Sequence, residues 1–255
     1  MSVGRALAFG DLDAGLWGAA WVPPLGGAVA VAVGGGPDAE VREAALHGTE
    51  HGEPWRLEGQ GIELVLSPSA PAVGPEECAA GVTGFDQLCR ASGRVTIAGG
   101  ERVVECLGWR SARDVALELD RIESFRQVSA WFDADDGLAL VALRPRGARG
   151  QEADVVLASV LEREQMRPVA DPRLSTTYTR DGLPARAGLE LWVEEEAGDP
   201  DADNGPGQFP RRAAAEAIAD GAGWEVGGFA VHGAPLRWHS RGRDGAGVYL
   251  LGRRA

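Results

Sequence analysis

The chain has 255 residues, 44% hydrophobic and 25% charged, a balance that suits a folded globular protein with length for one large β domain or two of ordinary size. Its 38 acidic residues against 25 basic ones leave a formal charge of −13, a field that repels phosphate backbones and argues against nucleic acid as a partner. Every basic residue is an arginine; without a lysine amine, Schiff-base and pyridoxal-phosphate enzymes and P-loop NTPases are excluded.

In chain order, Leu16 to Val22 and Ala28 to Val33 are short apolar strands separated by Pro23-Pro24 and Gly26-Gly27. Asp38 to Leu46 carries helix-forming residues but sits among strand-like neighbours. Ile62 to Leu66 is a strand, stopped by Ser67-Pro68 and Ala70-Pro71 and followed by a Pro- and Gly-marked loop to Glu77. From Phe85 to Ile97 apolar and polar residues alternate, the period-two mark of a strand with one wet face. Gly99-Gly100 suits a tight hairpin turn with φ > 0 at both central positions. Val103 to Leu107 returns, and the hairpin ends in a Gly108-Trp109-Arg110 corner.

Beyond it, Val115 to Phe132 fits a strand or a helical stripe equally. Leu138 to Leu143 is an unbroken apolar run, as in a strand buried on both faces. Val155 to Leu161, Ser175 to Thr179 and Leu189 to Val193 follow, the last two joined by the Asp181-Gly182 turn. An acidic loop precedes Arg212 to Ala219, read as strand despite its alanines. Trp224 to Val231, Leu236 to His239 and Val248 to Leu251 close the chain. Many short strands at close turn spacing point to an all-β sandwich or barrel.

Cys78, Cys89 and Cys106 are odd in number and lack a C-x-x-C pair, which argues against a disulfide framework or a zinc ribbon. No apolar run approaches the length of a membrane span and no secretory signal opens the chain, so reduced thiols and a cytoplasmic location are expected.

Three motifs imitate known sites. His47-Gly48-Thr49-Glu50-His51 matches H-x-x-E-H, which binds zinc only on a helix; in a strand the two histidines lie roughly 13 Å apart. Gly34 to Ala39 fits G-x-G-x-x-A, but no strand–helix alternation continues from it, so an inter-strand loop is the better reading. Asp199, Asp201 and Asp203 imitate the start of a calcium loop whose later positions fail. No metal and no cofactor is expected.

Glu190, Trp192 and Glu194 share one face of a strand, and Leu189, Leu191 and Val193 the other. If the first face looks into a barrel, a desolvated carboxyl beside an indole would suit protonation of an alkene. If the leucine face is the core, both glutamates are in water. Asp114 with Arg110 is a second acid–base pair, equally readable as a structural ion pair. The catalytic candidates are thus Glu190 and Asp114; the ligand-binding candidates are Trp109, Arg110, Trp131, Tyr178 and Trp192.

The segment FDQLCRASGRVTIAGGERVVECLGWR, with DGLPARAGLELW and GAGVY further on, resembles the hydroxyneurosporene synthase-like (AttH-like) family. The resemblance implies two lipocalin-like barrels side by side, with a boundary near Arg126 separating residues 1–126 from 127–255. It also implies a cofactor-independent enzyme acting by hydration, isomerisation or cyclisation on an apolar terpenoid or polyketide-like molecule in a barrel pocket. The alternative is a noncatalytic carrier of an apolar ligand. Where relatives continue the corner with Arg-Asp-His-Ser-Trp, this chain has Arg110-Ser111-Ala112-Arg113-Asp114, so only Gly108 and Arg110 transfer.

Overall fold

A computed structural model describes residues 3–23, 29–35, 38–72, 82–115, 119–150, 153–193 and 210–255. The first barrel comprises β1 (Val3–Asp11), β2 (Leu16–Val22), β3 (Val29–Gly35), β4 (Asp38–His47), β5 (Trp55–Gly59), β6 (Ile62–Pro68), β7 (Val82–Ile97) and β8 (Gly100–Val115). Each strand pairs antiparallel with the next, and β8 returns to β1, so the sheet closes on itself. A 3-10 turn, Leu119–Arg121, leads into the second sheet, whose first strand, β9 (Ile122–Asp133), contains Arg126.

That sheet continues with β10 (Asp136–Pro145), β11 (Val155–Glu162), β12 (Gln165–Tyr178), β13 (Pro184–Val193), β14 (Arg211–Ala217), β15 (Ala222–Val226), β16 (Phe229–Ser240) and β17 (Arg243–Arg254). β17 pairs with β9, and four residue pairs between β14 and β16, beside the short end strand β15, nearly close the sheet into a second barrel. The fold is all-β, two lipocalin-like barrels packed side by side. No helix among the described residues is long and apolar enough to cross a membrane.

The ambiguous segments resolve as strands. Asp38 to Leu46 becomes β4, the later half of Val115 to Phe132 becomes β9, and the alanine-rich piece becomes β14. In β14 the alternation decides against helix propensity: Ala213 and Ala215 are buried while Arg212, Ala214 and Glu216 face water. Two readings need correction. The central turn residues of the long hairpin are Ala98 and Gly99, φ 49° and 77°, one position before Gly99-Gly100. Trp224 to Val231 is not one strand, because Gly227 and Gly228 take positive φ and turn the chain between β15 and β16.

Period-two alternation sends each strand's side chains to two environments. In the first barrel Leu7, Phe9, Val31, Val33, Trp55, Leu57, Leu64, Leu66, Phe85 and Cys89 fill the interior. In the second, Val128, Leu138, Leu140, Val160, Leu189, Leu191, Leu236, Trp238 and Tyr249 do the same. The opposite faces of β1, β2, β8, β9, β10 and β11 meet in a third apolar layer, the seam between the barrels, built from Ala6, Ala8, Trp17, Trp109, Phe125, Trp131, Ala139, Val141, Leu157 and Leu161. Hence the apolar run Leu138–Leu143 is buried on both faces: its even side chains enter the barrel and its odd ones enter the seam.

The sequence motifs settle accordingly. β3 and β4 form an antiparallel hairpin with Gly35 opposite Asp38, so Gly34 and Ala39 belong to a strand connection; Gly36 and Pro37 lie outside the described residues. His47 ends β4 and His51 lies in the loop after it, so the helix a zinc motif needs does not form. Asp199, Asp201, Asp203, Glu194 and Cys78 lie outside the described residues.

Candidate functional site

The seam combines apolar packing with a buried polar network. Asp86 on β7 is 6% exposed and turned toward the second barrel. Its Oδ1 accepts the Ser111 hydroxyl at 2.6 Å and the Trp109 indole N–H at 3.4 Å, while Oδ2 accepts the Ser159 hydroxyl of β11 at 3.1 Å. The Arg113 guanidinium donates to both oxygens, and Gln127 of β9 reaches Ser111 at 3.4 Å. Two strands of each barrel therefore contribute to one network. A carboxylate so buried is tolerable because a guanidinium and three further donors replace its water.

Along the same seam, toward the other end of β8, a cleft of about 260 Å³ opens between the barrels. The first barrel supplies Gly10 to Asp13 and Glu105 to Leu107; the second supplies Trp131, Phe132, Arg237 and Asp244 to Ala246. Trp131 is anchored there by its indole N–H, which donates to the Gly10 carbonyl at 3.3 Å across the seam. The rim carboxylates Asp11, Asp13, Glu105 and Asp244 are exposed. Asp13 faces Arg237 at 3.7 Å, and Asp244 Oδ1 accepts from His239 Nδ1 at 3.0 Å in the tautomer that carries its proton there. An aromatic wall beside carboxylates can hold an apolar body and exchange protons at one end of it.

Solved structures share this architecture from end to end. A protein provisionally assigned as AttH, from Nitrosomonas europaea, superposes with a TM-score of 0.70 at 11% identity, covering 100% of this chain and 93% of its own. Kievitone hydratase from Nectria haematococca gives 0.65 at 6% identity over 99% of this chain and 89% of its own. CghA, solved with Sch210972, gives 0.64 at 10% identity over 100% and 89%. This chain has the AttH-like tandem-barrel fold. No family model and no curated protein sequence matches it.

Within the AttH-like fold the sequence-derived candidates fall into separate places. Trp109 and Trp131 come together at the seam, both nearly inaccessible. Arg110, one residue from Trp109, points the other way, into the first barrel. Its guanidinium donates to Gln87 Oε1 at 2.9 and 2.6 Å and to the carbonyls of Glu53 at 2.6 Å, Leu66 at 3.3 Å and His51 at 2.5 Å. It also lies 5.2 Å from the centre of the Trp55 ring and 6.0 Å from that of Phe85. Burial pulls its pKa below the usual arginine value, opposed by Cys89 and Glu53. Glu53 accepts the backbone N–H groups of Thr49 and Glu50, which holds the loop that supplies two of those carbonyls, His51 and Glu53. Arg110 thus ties the β4–β5 loop across one end of the barrel.

Glu190 and Trp192 share a face, as the alternation implies, but it is the outer face; Leu189 and Leu191 take the interior. The expected desolvated carboxyl is not there. The Glu190 side chain is 40% exposed and pairs with Arg212 at 3.0 Å. It lines an outward groove of about 580 Å³ with Arg173, Ser175, Gly188 and His239. That groove is larger than the seam cleft, yet its guanidiniums already pair with Asp171, Glu190 and Glu162 on a wet surface, so the seam is the better chemical environment. Tyr178 is exposed at the end of β12 under Arg253, 5.7 Å from the ring centre. Asp114 pairs through its backbone with Val3 and Thr83, and its side chain lies outside the described residues.

Asp86 is the buried seam carboxylate that sequence reasoning passed over, because alternation placed it on the polar side of the hairpin. A signal was present. In the hairpin register Asp86 faces Ser111 and Leu88 faces Trp109, so this face carries two large apolar residues beside its acid and cannot be fully solvated.

Proposed function

We propose that the chain is a cofactor-independent enzyme whose site is the inter-barrel seam, acting on an apolar terpenoid- or polyketide-like small molecule by hydration, isomerisation or cyclisation. The supporting observation is the juxtaposition, in one seam, of an aromatic-walled cleft with carboxylates at its rim and a buried carboxylate network behind it. The shared fold with a hydratase, kievitone hydratase, favours the same class. In this reading Trp131 and Phe132 seat the apolar body, and their π faces stabilise positive charge as it develops on carbon. A rim carboxyl delivers the proton and its carboxylate takes one back, the exchange that alkene hydration or isomerisation requires. Asp86, saturated by its donors, holds Arg113, Ser111 and Ser159 in place rather than transferring protons itself.

The test is to incubate the protein with a panel of polyene, terpenoid and polyketide-like alkenes and to analyse products by mass spectrometry and NMR. Hydration adds the mass of one water; isomerisation and cyclisation change the spectrum without changing the mass. Turnover that disappears in Trp131→Ala supports the seam as the site. Binding without any chemical change in the ligand, for every compound that binds, would make the protein a carrier.

A further inference from the structure

Trp109 stands between the two parts of the seam. The β8 side chains that face the second barrel are Leu107, Trp109 and Ser111 in succession. Leu107 lines the cleft, and Ser111 belongs to the Asp86 network. The indole reaches toward both. Its Nε1 donates to Asp86, and its far edge lies over Gly137, where a Cβ would stand 2.9 Å from Cζ3. Gly137 is the cross-strand neighbour of Trp131, the wall of the cleft. The ring is 1% exposed; it packs in the same apolar layer as Leu107 and Trp131, which line the cleft, and lies behind them rather than on the cleft wall itself.

We propose that Trp109 is a partition that sets the depth of the seam site and thereby the size of the substrate it admits, an inference that rests on the seam being the ligand site. Gly137 is the complementary half of the device, since a side chain there would take the place of the ring edge. The sizes support a specificity role. The cleft, about 260 Å³, lies just below the roughly 300–1,000 Å³ that drug-sized ligands occupy. Truncating a large buried side chain opens a void on the order of 150 Å³, enough to carry the site into that range. Close packing at 1% exposure, against Gly137 on one side and with a long 3.4 Å contact to Asp86 on the other, holds the ring in place, so the depth is set by a held side chain rather than by a mobile one.

The experiment uses 1-alkanols from hexanol to dodecanol as probes, titrated calorimetrically into the wild-type chain, Trp109→Leu and Trp109→Phe. Each methylene that enters an apolar site raises affinity roughly fourfold, until the chain no longer fits. The wild type should reach this cutoff first; Trp109→Leu should extend it by at least two methylenes, about a 15-fold gain for the longer alkanols, and Trp109→Phe by less. Trp131→Ala separates the two claims. If it leaves binding of the short alkanols intact, they do not bind at the seam and the functional reading fails. If it removes their binding while Trp109→Leu keeps a wild-type cutoff and a wild-type circular dichroism spectrum, the partition is overturned. Should Trp109→Leu fail to fold, the cutoff of Trp109→Phe decides: a shift supports the partition and an unchanged cutoff overturns it.

Discussion

Replacing Asp86 by alanine should loosen the contact between the barrels more than any surface substitution could. The carboxylate is the common acceptor for Arg113, Ser111, Ser159 and Trp109. Its side chain is 8% exposed and that of Arg113 is 11% exposed. Asp86→Ala therefore leaves a nearly buried guanidinium without its counter-ion and three donors without an acceptor. Removing one partner of a buried pair costs about 3–5 kcal/mol, or roughly 6–10 °C in Tm at about 2 °C per kcal/mol for a chain of this size. Asp86→Asn retains an acceptor oxygen and should lose less, about 1.5–3 kcal/mol for the charge-assisted part of its hydrogen bonds. The double variant Asp86→Leu/Arg113→Met should recover much of the loss, because two apolar side chains remove both charges together. Urea unfolding followed by tryptophan fluorescence measures all three. A loss below about 1 kcal/mol for Asp86→Ala would refute the reasoning, since Arg113 would then be finding water as readily as it finds Asp86.

Two further outcomes follow from groups buried in the first barrel. Arg110→Met should destabilise the chain by at least about 3 kcal/mol, because the carbonyls of His51, Glu53 and Leu66 and the Gln87 amide lose their donor, and Arg110→Lys should not restore it, since an ammonium lacks the planar fork; the urea midpoint reports both. Burial pushes the Cys89 and Cys106 thiols up from about 9 to about 12. In a Cys78→Ser background a thiol-reactive disulfide at pH 8 should label neither until the chain unfolds. Between pH 9 and 12 the unfolded thiols lose protons that the folded ones keep, so stability should be intact below pH 9 and fall as pH rises, by up to about 1.4 kcal/mol per unit for each thiol. Stability that rose over this window would contradict the burial of both thiols.

Much of this architecture is local and can be read residue by residue. Alternation in Phe85–Ile97, the apolar run at Leu138–Leu143 and the close spacing of turn residues required many antiparallel strands. Even the alanines of β14 fell into line, because Ala213 and Ala215 alternate with Arg212 and Glu216. The absence of lysine closed off whole reaction classes without any structure. What alternation cannot state is what lies against each face. The pattern at Glu190–Trp192 divides a strand into two sides, and only the second barrel's curvature makes the leucine side the interior. The pattern at Asp86–Leu88 looks half polar, and only the arrival of β9 and β11 turns that side into a buried seam. Turn placement was decided at the same level: the hairpin register put Ala98-Gly99 at the bend, one residue from the expected pair of glycines. A two-residue period is a property of one strand, but burial is a property of whatever strand, from anywhere in the chain, comes to cover it.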